Sequence, residues 1–169
     1  PGDNELLVRV HAAGVNPLDW HYMRGIPYLM RLSSGLRKPK DTRLGVDYAG
    51  TVEAVGRNVT RFKPDDQVFG GRSGALAQYV VAKQDGAVAL KPANVSFEQA
   101  GAVAIAATTA LQGLRDAGRL EAGDKVLING ASGGVGTFAV QIAKSMGAEV
   151  TAVCSTRNVE LVRSLGADH

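Results

Sequence analysis

Short segments of alternating apolar and polar residues run through the first half of the chain. The first is Glu5–Val15, which places Val8 and Val10 on one face and Arg9 and His11 on the other. Further strand-like segments, separated by turns rich in Gly, Pro and Asp, are Tyr48–Val55, Gln67–Phe69, Leu76–Val81 and Ala87–Leu90. Several short strands with turns between them are typical of a compact β domain such as a small barrel.

The pattern changes to helical spacing after residue 93. Ser96 and Gln99 form a capping box that predicts a helix N-terminus, and Ala104, Ala107 and Leu111 are expected to share one face of that helix. The sequence therefore predicts one domain over residues 1–93 and a second over residues 94–169.

A strand, a glycine turn and a helix are predicted next. Val126–Ile128 is a short apolar run, and apolar residues then recur at helical spacing from Val135 to Met146. A tight turn before a helix directs free backbone N–H groups and the positive end of the helix dipole at one point, where a dinucleotide diphosphate can bind. The residues predicted to bind the cofactor here are Gly130, Ala131, Ser132, Gly133, Gly134, Val135 and Gly136. The alternative is a turn that only packs a helix on a sheet.

The end of the next strand predicts which dinucleotide binds. That strand, Glu149–Cys154, leads into Ser155, Thr156 and Arg157, and the first acidic residue beyond it is Glu160. NAD-preferring sites usually place an acid at this strand end to hold the ribose 2′-hydroxyl, whereas hydroxyls and a guanidinium suit a 2′-phosphate. The sequence therefore favours NADPH. Alternatively, one of the hydroxyls only caps the following helix and Arg157 points into water.

The composition sets limits on size, charge and redox chemistry. With 169 residues, 45% of them hydrophobic, the chain can bury a sizeable core. The formal charge of +3 suits an anionic small ligand and does not require a nucleic-acid partner, and no apolar stretch reaches the length of a membrane span. The one cysteine, Cys154, excludes an internal disulfide and a multi-cysteine zinc cluster, so a cytoplasmic location is predicted.

Seven segments, spread over nearly the whole chain, occur in the order of one known family. They are Ala13–Asp19, Leu44–Gly50, Val52–Gly56, Phe62–Phe69, Ala107–Ala110, Gly130–Gly136 and Leu165–Asp168. Through them the chain resembles the medium-chain dehydrogenase/reductase superfamily, and within it the zinc-free branch of NADPH-dependent quinone oxidoreductase-like and enone reductase-like proteins.

The resemblance implies a fold of the class α/β plus β. A GroES-like β-barrel catalytic domain is expected first, followed by the first half of a Rossmann-type doubly wound nucleotide-binding domain. The chain is then expected to be the central part of a longer protein that forms a homodimer. Asp65 stands where members often carry glycine, which predicts strain in that turn.

No metal site is predicted. Zinc-dependent relatives hold the catalytic metal with a cysteine, a histidine and a second cysteine. The matching places here carry Asn16, Val46 and Ala104, none of which is a competent ligand. Oxidising a simple alcohol without a Lewis acid is hard, whereas a double bond conjugated to a carbonyl is already electrophilic at its β-carbon. The resemblance therefore favours reduction of an activated alkene or quinone.

Three residues are predicted to act on the acceptor. The Asn16 amide is expected to donate to the developing enolate oxygen or to the nicotinamide ribose, unless Asn16 is only a turn residue before Pro17. Tyr22 and Tyr28 follow on a segment that lines the substrate cleft in the family, and either is expected to donate a proton or a hydrogen bond. The alternative for both tyrosines is packing at a domain rim.

Four further residues receive supporting predictions. By resemblance, Thr108 and Thr109 lie near the nicotinamide, or else they bond back to their own helix. Asp19 is expected to orient a neighbour and not to take part in the chemistry. Asp47 is expected to stabilise its domain as a buried acid, and the alternative for Asp47 is a catalytic role.

Two functions follow from these residues. The favoured one is an NADPH-dependent oxidoreductase that transfers hydride to a small-molecule quinone, enone or related activated alkene. The alternative is a non-catalytic NADPH-binding sensor or scaffold protein that contacts RNA or a partner through Arg24–Arg43, which holds six basic residues and one acid. A solvated loop also explains that stretch.

Overall fold

The structure is a computed structural model that describes the backbone of residues 1–169, and the side chains of all of them except Met30, Ser33 and Ser34. The chain divides into two compact units, Pro1–Ile105 and Ala106–His169. Within the described part of the chain, no helix is both long enough and apolar enough to span a bilayer.

The first unit is built on one antiparallel sheet, with strand order β4-β1-β2-β3-β5. Its strands are β1 (Glu5–Gly14), β2 (Asp47–Val55), β3 (Gln67–Gly71), β4 (Tyr79–Lys83) and β5 (Val88–Leu90). The alternation expected for β1 is confirmed, since Leu6 and Val8 point into the core with Tyr48, Val52 and Val68. The predicted domain of short strands is therefore present.

One strand begins later than the sequence predicts. Leu76–Val81 was the expected segment, but β4 starts at Tyr79, which pairs with Arg9 of β1. The backbone N–H of Leu76 instead donates to the carbonyl of Leu44 in a loop. Contact with a distant loop thus overrides the local strand propensity of these residues.

Four short helices complete the first unit or lead out of it. They are α1 (Pro17–Arg24), α2 (Arg31–Ser34), α3 (Phe97–Ala100) and α4 (Ala104–Leu111). The capping box predicted at Ser96 is confirmed, because its hydroxyl accepts from Gln99 N and the Gln99 side chain accepts from Ser96 N. Helix α3 packs against β1 and β2.

The structure corrects the single helix predicted after Ser96. The chain turns at Gly101, where a side chain at the facing Gly14 would collide with the Gly101 carbonyl. Turn residues occupy positions 101–103, and helix α4 starts anew at Ala104. It buries Ala106 and Ala110, whereas Ala104, Ala107 and Leu111, which were predicted to share one face, are only partly buried.

The second unit has a strand–helix–strand arrangement. Strands β6 (Lys125–Asn129) and β7 (Glu149–Val153) are parallel, with Lys125 opposite Glu149, and the connecting helix is α5 (Gly134–Ser145). Helix α4 continues as a π-helix over Gln112–Ala117, and α6 (Val159–Ser164) follows β7. The core of this unit contains Ile128, Ala139, Val140, Ala143, Val150 and Val162. The predicted parallel α/β unit is confirmed, while the predicted boundary near residue 93 stays a prediction.

Candidate functional site

The glycine turn between β6 and α5 is tied to the end of β7. The backbone N–H groups of Gly130 and Ala131 both donate to the carbonyl of Val153 at 3.0 Å, and Gly130 has a positive φ of 73°. The N–H of Gly133 donates to the Gly130 carbonyl at 2.9 Å. The predicted turn residues therefore use their first amides to build the turn itself.

The amides that remain for a ligand belong to the first turn of α5. Gly133 is the N-cap, and Thr137 N–H makes the first bond of the helical ladder to its carbonyl at 2.9 Å. The N–H groups of Gly134, Val135 and Gly136 come before that bond, where an α-helix has no acceptor of its own. They meet at the positive end of the helix dipole, which favours an anion.

The space around the turn differs between its glycines. A Cβ added at Gly130 or Gly134 would meet no atom within 4 Å, so the backbone is open to close approach there. A Cβ at Gly136 would collide with the Gly130 carbonyl oxygen and the backbone of Ala131. The turn thus packs tightly on its inner side and is open on its outer side, which fits a diphosphate cradle.

The end of β7 carries the residues predicted to select the dinucleotide. Ser155, Thr156 and Arg157 are all exposed, and neither the short turn Thr156–Asn158 nor α6 has a side-chain cap bond. The alternative that a hydroxyl here caps the following helix is therefore not what the structure shows. No ion pair holds the Arg157 guanidinium among the described side chains, whereas Glu160, the nearest acid along the chain, pairs with Arg163 at 3.3 Å.

Asn158 links these two parts of the site, and the sequence analysis did not identify it. Its Nδ2 donates to Ser132 Oγ at 2.9 Å and to Ser155 Oγ at 3.2 Å. One amide thus fixes the glycine turn against the loop that follows β7. An asparagine just after a strand was the available signal, but its partner lies 26 residues away.

The two threonines of α4 differ in their surroundings. Thr108 is exposed on the helix surface, and Thr109 lines a groove of about 500 Å³ in the second unit. Val135 and the apolar side chains of Leu114 and Ile128 line the same groove. The structure therefore brings together two of the predicted cofactor residues, Thr109 and Val135, on one concave surface.

In the first unit, two buried carboxylates hold Asn16. The Asn16 N–H donates to Asp19 Oδ2 at 2.8 Å, and the other Asp19 oxygen accepts from Gly45 N at 2.8 Å. The Asn16 side-chain Nδ2 donates to Asp47 Oδ2 at 2.9 Å, with a longer contact of 3.5 Å to the Gly14 carbonyl. The expectation that Asp19 orients a neighbour agrees with this geometry.

Sheet register explains why these residues meet. Gly14, at the end of β1, lies directly opposite Asp47, at the start of β2, so Asn16 leaves the sheet beside the Asp47 side chain. Asp47 is 1% exposed and also accepts from Ile105 N at 2.8 Å. Burial raises the pKa of Asp47, while the hydrogen bonds from Asn16 and Ile105 act in the opposite direction.

The structure places the two candidate tyrosines differently. Tyr22, on α1, lines a cavity of about 260 Å³ that contains both acids and cations. The other lining residues are Asp19, Lys40, Asp41, Arg43, Leu44, Val46 and Ser73. Tyr28 is 71% exposed, and its ring stacks on the Arg31 guanidinium at 4.8 Å instead of lining that cavity. Of the two tyrosines, Tyr22 is therefore the one that lines a cavity with Asp19, the residue that binds the Asn16 N–H.

Among the side chains that the structure describes, three of the six cations between Arg24 and Arg43 have a local partner. Arg43 pairs with Asp41 at 2.7 Å, Arg31 donates to the Gly25 carbonyl at 3.0 Å, and Arg24 lies over the Trp20 ring at 5.3 Å. The guanidinium of Arg43 lowers the pKa of Asp41 to about 2.

Among the described residues, no group of three or more His, Cys, Asp or Glu is arranged to bind a metal ion.

Two family models match the chain. The alcohol dehydrogenase GroES-like domain matches residues 2–93, and the zinc-binding dehydrogenase domain matches residues 134–169. The first covers more than half of the chain and coincides with the antiparallel sheet of the first unit. The second begins at the first residue of α5.

Known proteins resemble the chain in sequence and in fold. It is 42% identical to a trans-enoyl reductase, pgmF, of Aspergillus terreus, over 99% of the chain and 48% of that protein. It is 41% identical to a chloroplastic quinone-oxidoreductase homolog of Spinacia oleracea, over 99% of the chain and 52% of that protein. The crystal structure of CurK enoyl reductase superposes with a TM-score of 0.91 at 32% identity, over 100% of the chain and 51% of that structure.

The chain spans about half the length of the curated relatives it matches. A GroES-like sheet comes first in the chain, and the unit formed by β6, the glycine turn and α5 follows it. This order agrees with the fold class expected from the sequence, α/β plus β. The family and its neighbours also imply a nicotinamide dinucleotide as cofactor. The chain therefore belongs to the medium-chain dehydrogenase/reductase superfamily, where it is similar to the quinone oxidoreductase-like and enoyl reductase-like members.

Proposed function

We propose that the full-length protein is an NADPH-dependent oxidoreductase that reduces a quinone, an enone or a related activated alkene without zinc. The observation that carries the proposal is the glycine turn, which leaves the first three amides of α5 without helical acceptors and open to a diphosphate. The relatives that are named as an enoyl reductase and a quinone-oxidoreductase homolog support this acceptor class.

The choice of NADPH is supported by the charges at the end of β7. Arg157 has no ion pair among the described residues, Ser155 and Thr156 offer hydroxyls beside it, and Glu160 faces Arg163. A guanidinium can bind a 2′-phosphate through two charge-assisted hydrogen bonds. An acid that would bind the free 2′-hydroxyl of NADH is absent from this described loop.

The acceptor would be oriented by side chains of the first unit. Bound NADPH supplies the hydride. Of the two N–H groups of the Asn16 carboxamide, one is held by Asp47 at 2.9 Å, and the other makes only a 3.5 Å contact to Gly14. A contact of that length is weak, so this second N–H is available to the acceptor oxygen. Tyr22, which lines the cavity beside Asp19, would donate a hydrogen bond or a proton to the acceptor.

Turnover tests the acceptor class directly. The full-length protein, treated with a chelator, should oxidise NADPH in the presence of a simple quinone or enone, followed by absorbance. Failure to turn over any member of a panel of such acceptors would contradict the proposal. Tight NADPH binding without turnover would instead favour the sensor or scaffold alternative.

Charge reversal at Arg157 tests the coenzyme preference. Arg157→Glu should weaken NADPH binding by roughly 10- to 100-fold, because charge-assisted bonds contribute about 1.5–3 kcal/mol. The binding of NADH, which lacks the 2′-phosphate, should change much less. Arg163→Glu is the matched control, since it makes the same change of charge on α6 at a residue that pairs with Glu160. Equal losses for both coenzymes in the Arg157 variant would refute the NADPH assignment.

A further inference from the structure

We infer that Asp47 is a positioning residue for Asn16, whose carboxamide it holds in one of two possible orientations. The inference rests on the proposed function, because it concerns the polar atom that Asn16 presents to the acceptor or the coenzyme. It assigns Asp47 a role beyond that of a buried acid that stabilises the sheet.

The hydrogen bonds of Asp47 leave little freedom. The backbone N–H of Ile105 can only donate, and it binds Asp47 Oδ1 at 2.8 Å. The other oxygen, Oδ2, faces the end of the Asn16 side chain at 2.9 Å. Both partners of Asp47 are therefore donors, which is the hydrogen-bond pattern of an ionised carboxylate, and this pattern requires the NH₂ end of the Asn16 amide at Oδ2.

The reversed orientation would be unfavourable in this place. It would set the amide oxygen of Asn16 against Asp47 Oδ2, so that two acceptors would face each other beside a side chain that is 1% exposed. The Asn16 backbone is itself held in place, because its N–H donates to Asp19, which is 6% exposed. Asp19 therefore fixes the backbone of Asn16, and Asp47 fixes its side chain.

Replacing Asp47 by asparagine changes the group that faces Asn16 from an acceptor to a donor, with almost no change in side-chain size. The amide oxygen of the new side chain stays with Ile105 N–H, so its NH₂ group faces Asn16. Asn16 then has to present its oxygen to position 47 and loses the N–H that the proposed function assigns to the acceptor. The loss of activity in the Asp47→Asn variant should therefore be due entirely to the changed orientation of Asn16.

A double-mutant cycle in the full-length protein tests this coupling. Asn16→Ala and Asp47→Asn should each lower kcat/KM for the acceptor by about 100-fold, the scale of losing one positioned donor. The double variant should be within about threefold of Asn16→Ala alone, because the second change has nothing left to disrupt. Val52→Ala, a buried change on the same strand β2, is the control for stability loss without contact to Asn16.

The possible results separate the inference from the proposed function. Multiplying losses, close to 10⁴-fold in the double variant, would show that Asp47 acts independently of Asn16 and would overturn the inference. A loss in Val52→Ala as large as in Asp47→Asn would assign the effect to stability and would also overturn it. If the wild type reduces no acceptor, the proposed function fails, and the same four proteins are then compared by their NADPH dissociation constants. In that comparison, additive losses of NADPH binding free energy, or no loss in Asn16→Ala, overturn the inference.

Discussion

Gly136→Ala should destabilise the second unit, whereas the same substitution at Gly134 should not. A Cβ at Gly136 would lie 2.7 and 2.8 Å from the Cα and C of Ala131, and closer still to the Gly130 carbonyl oxygen. Real Cβ atoms essentially never approach other atoms below 3.0 Å. Because these neighbours are backbone atoms of the turn, α5 itself would have to move away from β6 and β7.

The size of the effect follows from two opposing contributions. Overpacking of this kind costs about 1–3 kcal/mol, and the higher helix propensity of alanine offsets at most about 1 kcal/mol. At Gly134 a Cβ meets no atom within 4 Å, so only the favourable contribution remains. Because the gain in helix propensity applies at both positions, it cancels in the comparison, and the two variants should differ by about 1–3 kcal/mol in the free energy of unfolding.

Urea unfolding of the full-length variants, followed by circular dichroism, measures this difference. The expected order of stability is Gly134→Ala at or above wild type, and Gly136→Ala clearly below it. A Gly136→Ala protein as stable as Gly134→Ala would show that α5 does not pack on the turn as described. It would also remove the basis for calling one side of the turn closed and the other open.

Three further predictions concern stability. Tyr48→Phe should leave the free energy of unfolding unchanged or raise it by up to about 1–2 kcal/mol, because the buried Tyr48 hydroxyl has no hydrogen-bond partner among the described atoms; a clear loss in urea unfolding would contradict this. Asp65→Gly should stabilise by up to about 1 kcal/mol in the same assay, since Asp65 has a φ of 70°, as the resemblance led us to expect; a destabilised variant would contradict that strain. The pKa of Asp168 is lowered by Lys144 and by Val150 N–H, so its contribution is present above the ordinary Asp pKa and is lost as the pH falls through the lowered value. Asp168→Asn should therefore flatten the decline in stability between about pH 5 and 2, and an unchanged slope would refute this.

The features that the sequence predicts well are those with local signals. The glycine turn, the capping box at Ser96 and the alternation in β1 each lie within a dozen residues, and the structure contains all three. The hydrogen bonds and the burial of these three features depend on residues that are close along the chain. The spacing of residue types in the sequence is therefore enough to predict them.

The features that the sequence analysis missed depend on distant partners. Asn16 and Asp47 are 31 residues apart and meet only because β1 and β2 pair with Gly14 opposite Asp47. Asn158 and Ser132 likewise meet across the parallel pair of β6 and β7. The start of β4 at Tyr79 is also set by pairing with β1, which no local pattern reveals.

The binding position of the coenzyme is the most direct test of the central claim. A crystal structure of the full-length protein with NADPH should place diphosphate oxygens about 3 Å from the backbone nitrogens at the start of α5. The 2′-phosphate should lie beside Arg157. A diphosphate bound elsewhere, with a side chain filling the turn between Ile128 and Phe138, would contradict the account.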